Sequence, residues 1–271
     1  MNDQFSCADK TAVITGGSGV LGSAMALALG KSGARIALIA RNENKLQEKT
    51  QELKNQGVTA MYSLASVTSK SELLKAKEEI KSEFGKVDIL INSAGGNMSG
   101  ATITPDQNFF DLNIEEYRKV VDLNLTGSVL PSLVFAEDMA ESKKGSIVNI
   151  SSMTASKPIS RVLGYGNSKA AIDNFTKWLS TEMIEKFGSG IRVNAIAPGF
   201  FLTEQNKSLL TNSDGSYTQR AQSILANTPF NRFGEPDELG GTLIWLCSEA
   251  SRFVTGVVIP VDGGFSAYGG L

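Results

Sequence analysis

The sequence predicts one α/β domain, a doubly wound parallel sheet of about seven strands with helices on both faces. Three observations lead there. Short apolar runs alternate with longer amphipathic stretches along the whole chain. A glycine cluster, Thr15-Gly16-Gly17-Ser18-Gly19-Val20-Leu21-Gly22, directly follows the first apolar run. The residues best suited to chemistry fall just after successive runs, where sheets of this kind hold their ligands.

Thr11 to Ile14 is the first strand, and a helix follows the glycines from about Val20 to Ser32. Arg35 to Ala40 is the second strand, with a charged helix from about Glu43 to Asn55 behind it. Thr59 to Ala65 is the third, followed by a helix from about Lys70 to Phe84. Val87 to Ile91, strongly apolar, is the fourth. A long helix from about Ile114 to Glu141 leads to the fifth strand, Ile147 to Ile150. The next helix runs from about Tyr165 to Phe187, with Ala171, Phe175 and Trp178 spaced as a core-facing stripe. Ile191 to Ala197 is the sixth strand, and a helix from about Pro236 to Ser248 precedes the seventh, Val257 to Val261. Strands that alternate with helices pair in parallel, because each crossover returns the chain to the same end of the sheet. Right-handed crossovers then favour a Rossmann-like arrangement. No repeat, low-complexity tract or linker interrupts the chain, so residues 1–271 are expected to form a single domain. Its polar loop from about Phe200 to Asn231 is long enough to act as a lid, mobile around Asn212 to Gly215.

Composition narrows the function. Hydrophobic residues make up 41% of the 271, enough for a sizeable core. The net charge is −2 and no basic cluster is interleaved with aromatics, which argues against nucleic acid. No apolar run approaches a membrane span, so no membrane partner is expected. Met1-Asn2-Asp3-Gln4-Phe5 lacks the features of a signal peptide. Cys7 and Cys247 match no metal or redox spacing and suit free thiols in a reducing cytosol, with a single disulfide left open. A cytoplasmic protein is expected. There is no histidine, which removes Ser-His-Asp chemistry and His-bound metals; no metal site is expected.

Tyr165 and Lys169 stand four apart, on one face of a helix, and Ser152 lies thirteen residues before the tyrosine. An ammonium beside a phenol favours the phenolate, so Lys169 is expected to pull Tyr165 down from its usual value near 10 and make it a tuned proton donor and acceptor. The spacing alone is common. The apolar run Ile147-Val148-Asn149-Ile150 strengthens it by delivering Ser151-Ser152 to a strand end, where Ser152 can hold a substrate oxygen.

Gly17-x-Gly19-x-x-Gly22 follows a strand and opens a helix, the context in which a backbone cradles a pyrophosphate. Gly16, Ser18, Gly19, Val20, Leu21 and Gly22 are therefore candidate cofactor contacts. The second strand ends in Ala40-Arg41, with no acidic residue for a ribose 2′-hydroxyl. The Arg41 guanidinium suits a 2′-phosphate, which favours NADP(H) over NAD(H), the alternative being an arginine simply exposed on a loop.

Taken together, the glycine loop, Asn92-Ser93-Ala94-Gly95, Asn124, Ser152, Tyr165, Lys169 and Pro198-Gly199 resemble the short-chain dehydrogenase/reductase family over essentially the whole chain. The resemblance implies an oxidoreductase that moves hydride between a nicotinamide cofactor and a ketone or CH–OH group. It implies a catalytic tetrad of Asn124, Ser152, Tyr165 and Lys169, with Lys169 also on the nicotinamide ribose beside Tyr165 and Asn124 supporting a water relay to Lys169. Asn92, Ala94 and Gly95 would line the cofactor, Val67 would meet adenine, and Pro198, Gly199 and Thr203 would flank the nicotinamide. A homotetramer is the family expectation. The chain departs from the pattern at Val20, where the family usually has glycine, and at Ser66, where it often has aspartate.

Within the family, Gly95-Gly96-Asn97, the segment onward to Asp111, Pro198 to Asn206 and Val261 to Tyr268 resemble the D-mannonate oxidoreductase (fructuronate reductase) branch. This implies a sugar-acid substrate, D-fructuronate/D-mannonate, with gluconate 5-dehydrogenases close competitors. A 3-oxoacyl carrier or carbonyl reductase is the next alternative, and a cofactor-binding protein without chemistry a distant one. A carboxylate substrate needs a cation, and Arg161 either supplies it or caps a surface loop. Asn97, Gln205 and Asn206 are candidates for sugar hydroxyls. Phe109 and Phe110 line a substrate entrance or pack in a loop, and Trp178 and Trp245 are expected to be buried.

Overall fold

In the computed structural model, which describes residues 4–203 and 207–270, seven strands form one sheet. They are β1 (Thr11–Thr15), β2 (Arg35–Ala40), β3 (Ala60–Leu64), β4 (Ile89–Asn92), β5 (Gly145–Ile150), β6 (Ile191–Pro198) and β7 (Val258–Val261). The order is β3-β2-β1-β4-β5-β6-β7 and every pairing is parallel. The chain reverses its direction of travel between β1 and β4, which opens a crevice at their carboxyl ends. Thr15 pairs with Asn92 there, so the glycine loop and the Asn92–Asn97 segment leave the sheet side by side.

Strand residues alternate between two apolar cores. Ala12 and Ile14 of β1 and Ile36 and Leu38 of β2 pack on one face, against α1 (Val20–Lys31) and Leu243 and Leu246 of a later helix. Val13, Ala37 and Ile39 pack on the other, with Leu73 and Ile80 of the third-strand crossover and Phe135 and Met139. Each of the larger aliphatic and aromatic side chains among these contributes about 1.5–3 kcal/mol by leaving water. The remaining helices are α2 (Glu43–Asn55), α3 (Lys70–Phe84), α4 (Ile114–Val121), α5 (Gly127–Ser142), α6 (Leu163–Phe187), α7 (Lys207–Leu210), α8 (Gln219–Ala226) and α9 (Gly240–Cys247). A π-turn, Asp122–Thr126, joins α4 to α5, so the expected long helix is continuous from Ile114 to Ser142 but carries one widened turn. By length and apolarity this stretch meets the criterion for a membrane span, which no run in the sequence was expected to do. It lies against α3, α6, β4 and β5, with Val134, Phe135 and Met139 buried, as a core helix does.

Two expectations are corrected. The buried stripe of α6 is Ile172, Thr176, Leu179 and Met183, while Ala171 and Phe175 are half-buried and Trp178 is 58% exposed. Both stripes satisfy helical spacing, and only the position of the sheet chooses between them. Trp245 is half-buried, its indole N–H donating to the Ala250 carbonyl at 3.3 Å. From residue 207 to 231 the chain is folded. α7 and α8 share a small core of Leu210, Ala221, Ile224 and Phe233. The Asn212–Gly215 stretch is a hydrogen-bonded turn beneath the Thr211–Tyr217 bridge, with Asn212 N–H donating to the Ser216 carbonyl at 2.8 Å. Cys7 and Cys247 are buried free thiols.

Candidate active site

Strand ends build the site. The Thr15 hydroxyl oxygen accepts from the backbone N–H groups of Ser93 and Ala94, both at 3.1 Å, which clamps the loop after β1 to the loop after β4. Gly16 turns between them at φ +66°, and a Cβ there would stand 2.8 Å from the Ala94 Cα. Only glycine meets both conditions. A Cβ on Gly22 would strike the Gly16 carbonyl, so the start of α1 presses onto the turn. Gly19 caps α1 with no side chain over its free N–H groups, and the first turn holds no acidic residue. That open, positive helix end beside a glycine cradle fits the pyrophosphate of a dinucleotide. Ser18 and Gly19 lie at the turn's surface; Val20 begins the helix, and Leu21 packs inward on the core, which leaves its backbone to face a ligand. Arg41 is exposed at the end of β2, and no ion pair among the described residues involves it. Val67, beyond β3, is buried and packs on Gly127.

Asn92 is buried and turned inward. Its amide donates to Ser132 at 2.9 Å and to Asn149 at 2.8 Å, so its side chain ties β4 to β5 and α5. Asn124 sits in the π-turn, buried. Its amide donates to the carbonyls of Gly96 and Val120, both at 2.8 Å, and its oxygen accepts from Gly96 N–H at 3.0 Å. A Cβ on Gly95 would lie 3.4 Å from the Lys169 Nζ, so Gly95 borders both Asn124 and Lys169.

β5 delivers Ser151 and Ser152, and the first turns of α6 present Tyr165 and Lys169 to them. The Lys169 Nζ donates to the Ile150 carbonyl at 2.7 Å and lies 5.3 Å from the centre of the Tyr165 ring. Ser152 accepts from Thr154 N–H at 3.2 Å and hydrogen-bonds Tyr165. Loss of solvation brings the Lys169 ammonium down to about 8, with the Asp173 carboxylate opposing it. The same burial pushes the Tyr165 phenol up, and the Ser152 hydrogen bond works against that rise. This overturns the expectation of a lowered phenol. Excluding water from a phenolate costs more here than the Ser152 hydrogen bond returns. Asp173, one turn beyond Lys169, accepts a short hydrogen bond from Ser151, and burial raises its own carboxyl.

Pro198 ends β6, and Gly199 passes so close to Asp262 that a Cβ would lie 2.6 Å from the Asp262 Cα. The Thr203 carbonyl accepts from Lys207 N–H at 2.9 Å. Lys157 donates to the carbonyls of Phe265 and Tyr268 at 2.8 and 3.0 Å, which folds the C-terminal segment back over the loop after β5. Asn97 donates to the Thr102 hydroxyl at 2.7 Å, so its amide serves its own loop. Phe109 and Phe110 are 64% and 92% exposed, on the surface of that loop. Arg161 adopts φ +76°, just before α6, and its carbonyl accepts from Ile103 N–H at 3.1 Å. Gln205 and Asn206 lie outside the described residues.

The structure thus gathers the glycine loop, Gly95, Asn124, Ser152, Tyr165 and Lys169 at one end of the sheet. Sequence reasoning missed Ser151, Asp173 and Arg220. Asp173 continues the Tyr165–Lys169 spacing by one more turn, a signal that was available. Arg220 offered none, since it approaches Ser160 from sixty residues away.

Among known proteins, the profile of a family described as short chain dehydrogenase matches residues 10–214. An uncharacterized oxidoreductase, UxuB, of Bacillus subtilis is 46% identical over 273 residues, 97% of each chain. The 5-keto-D-gluconate 5-reductase of Escherichia coli K12 is 34% identical over 264 residues, 97% of this chain and 98% of that one. A crystal structure of a candidate D-mannonate oxidoreductase from Haemophilus influenzae with bound NAD superposes with a TM-score of 0.91 at 42% identity, covering 98% of each chain.

Proposed function

The chain belongs to the short-chain dehydrogenase/reductase family and is an oxidoreductase using a nicotinamide cofactor, and from that premise we propose that it reduces and oxidises a sugar acid, D-fructuronate/D-mannonate. The observation that carries the reading is the Ser152–Tyr165–Lys169 cluster at the mouth of a glycine-lined crevice, with Arg161 four residues before Tyr165 in the chain. The similarity to the Haemophilus protein supports D-mannonate, and the similarity to the 5-keto-D-gluconate reductase supports the second reading, another sugar acid such as gluconate.

The bound cofactor would supply or accept the hydride. The backbone of Gly16 to Gly22 and the N-terminus of α1 would hold its pyrophosphate, with Gly95, Pro198, Gly199 and Thr203 along its nicotinamide half. Ser152 holds the ketone oxygen by its hydroxyl. Tyr165, kept protonated by burial, donates its proton to that oxygen as negative charge develops on it. Lys169 stabilises the resulting phenolate, which restores the coupling expected between the two once charge is present. Asn124 fixes the Gly96 backbone on both sides and so sets the wall beside Lys169.

For the cofactor, the exposed Arg41 at the end of β2 supports NADP(H); the NAD in the Haemophilus structure favours NAD(H) as the alternative. Exposed Leu133 on α5 and Trp178 on α6, together with the open edge of β7, support a homotetramer. Two unpaired thiols suit a cytoplasmic setting. The test is oxidation of NADPH and NADH by the purified protein with D-fructuronate, with 5-keto-D-gluconate alongside. Rapid turnover of fructuronate is expected, and Arg41→Ala should raise the KM for NADPH about 10-fold or more while leaving that for NADH nearly constant. Turnover of neither acid, with a reactive diketone still reduced, would discard the sugar-acid reading.

A further inference from the structure

Arg220 lies near the start of α8, in the folded segment that follows β6. Its Nη1 donates to the Ser160 hydroxyl at 3.3 Å, which places its guanidinium beside Arg161. The two charges feel each other: burial first, and then the Arg161 cation, weaken the hold of Arg220 on its proton. Both side chains are half-buried, and neither forms an ion pair among the described residues. The carboxylates of the neighbouring loop are spent locally. Asp106 accepts from the Thr104 hydroxyl at 2.6 Å, and Asp111 accepts from Asn108 N–H at 2.8 Å. Arg161 is held in the left-handed region, φ +76°, a conformation costly for a branched-off side chain and sustained here by the Ile103 hydrogen bond. Two like charges brought together across sixty residues, one on a strained backbone, repel each other until an anion lies between them.

We propose that Arg161 and Arg220 form a two-guanidinium clamp for the substrate carboxylate, with Arg220 as a specificity-determining residue carried on α8. The proposal rests on the sugar-acid reading and deepens it. Arg161 stands four residues before Tyr165, in the turn that leads into α6, so a carboxylate in the clamp would set the far end of a short polyol chain whose ketone meets Ser152 and Tyr165. The clamp also discriminates by charge, because an acid offsets the repulsion between α8 and the loop before α6 and a neutral sugar does not.

The test compares kcat/KM for three ketoses with the same reacting ketone: D-fructuronate, D-fructose and D-fructose 6-phosphate. Wild type, Arg220→Gln, Arg220→Lys and Arg161→Gln are assayed with saturating cofactor. Wild type is expected to prefer the acid to the neutral sugar, and Arg220→Gln to shrink that preference by roughly 10- to 100-fold, mostly through KM. Arg220→Lys, which keeps the charge, should restore a substantial part of it. An unchanged preference in Arg220→Gln would overturn the role of Arg220 while leaving the sugar-acid reading intact. A wild type indifferent to the carboxylate would overturn both. A preference for the phosphorylated sugar over the acid would assign the clamp to a phosphate and overturn the carboxylate. Should Arg220→Gln fail to fold, the Arg220→Lys and Arg161→Gln preferences decide, since a structural arginine would lower turnover of all three sugars alike.

Discussion

The Lys169 ammonium lies 5.3 Å from the centre of the Tyr165 ring, and burial acts on the two groups in opposite directions. It keeps the phenol protonated and loosens the proton of the lysine, drawn down to about 8. A pair of this kind is poised to share a charge, and the ketone oxygen is the place to which that charge would be delivered.

Tyr165→Phe removes the proposed proton donor and preserves the ring. We expect kcat for ketone reduction to fall by about a thousandfold. Cofactor affinity, followed by quenching of protein fluorescence, should change little. A variant that kept most of its turnover would exclude Tyr165 as the donor.

Asp173→Asn tests a positioning role. The Asp173 carboxylate favours the charged form of Lys169, and Asn can still accept the Ser151 hydroxyl. Without the carboxylate, Lys169 should lose its proton below pH 8, so the alkaline limb of kcat/KM for reduction should move to lower pH by roughly one unit. A loss of activity with an unshifted profile would point to packing alone.

Lys169→Met should abolish activity and yet leave the fold as stable or more so. Because burial lowers the folded-state value to about 8 from 10.5, the unfolded chain binds the extra proton between those two values. Stability therefore carries its full penalty below pH 8 and recovers as pH rises toward 10.5, by on the order of 3 kcal/mol at most. In urea denaturation, the Met variant should lose this rise. A wild type whose stability did not climb over that window, once other titrations were subtracted, would contradict a buried ammonium.

Gly16→Ala meets two obstacles at once, φ +66° and the Ala94 backbone at 2.8 Å. We expect a loss of about 1–3 kcal/mol in denaturant unfolding, and cofactor affinity weakened at least as much as the glycine loop is displaced. Unchanged stability and unchanged cofactor binding in calorimetry would show that the loop does not make the close approach to Ala94.

The sequence by itself determined what depends on neighbours along the chain. Alternating runs specified seven strands in a parallel sheet, the glycine spacing specified a turn at a helix N-terminus, and i, i+4 spacing put Tyr165 and Lys169 on one face. Tertiary structure decided whatever depends on burial or on residues far apart in number. It turned the Asn92 amide toward Asn149 and the Asn97 amide toward Thr102, left Trp178 outside, brought Ser151 to Asp173 and Arg220 to Arg161, and reversed the expected shift at Tyr165. The physical reason is one of range. Periodicity and backbone sterics act over a few residues and are written in the order of amino acids, whereas desolvation and charge–charge interaction act through space and exist only once the sheet has set which groups lie next to each other.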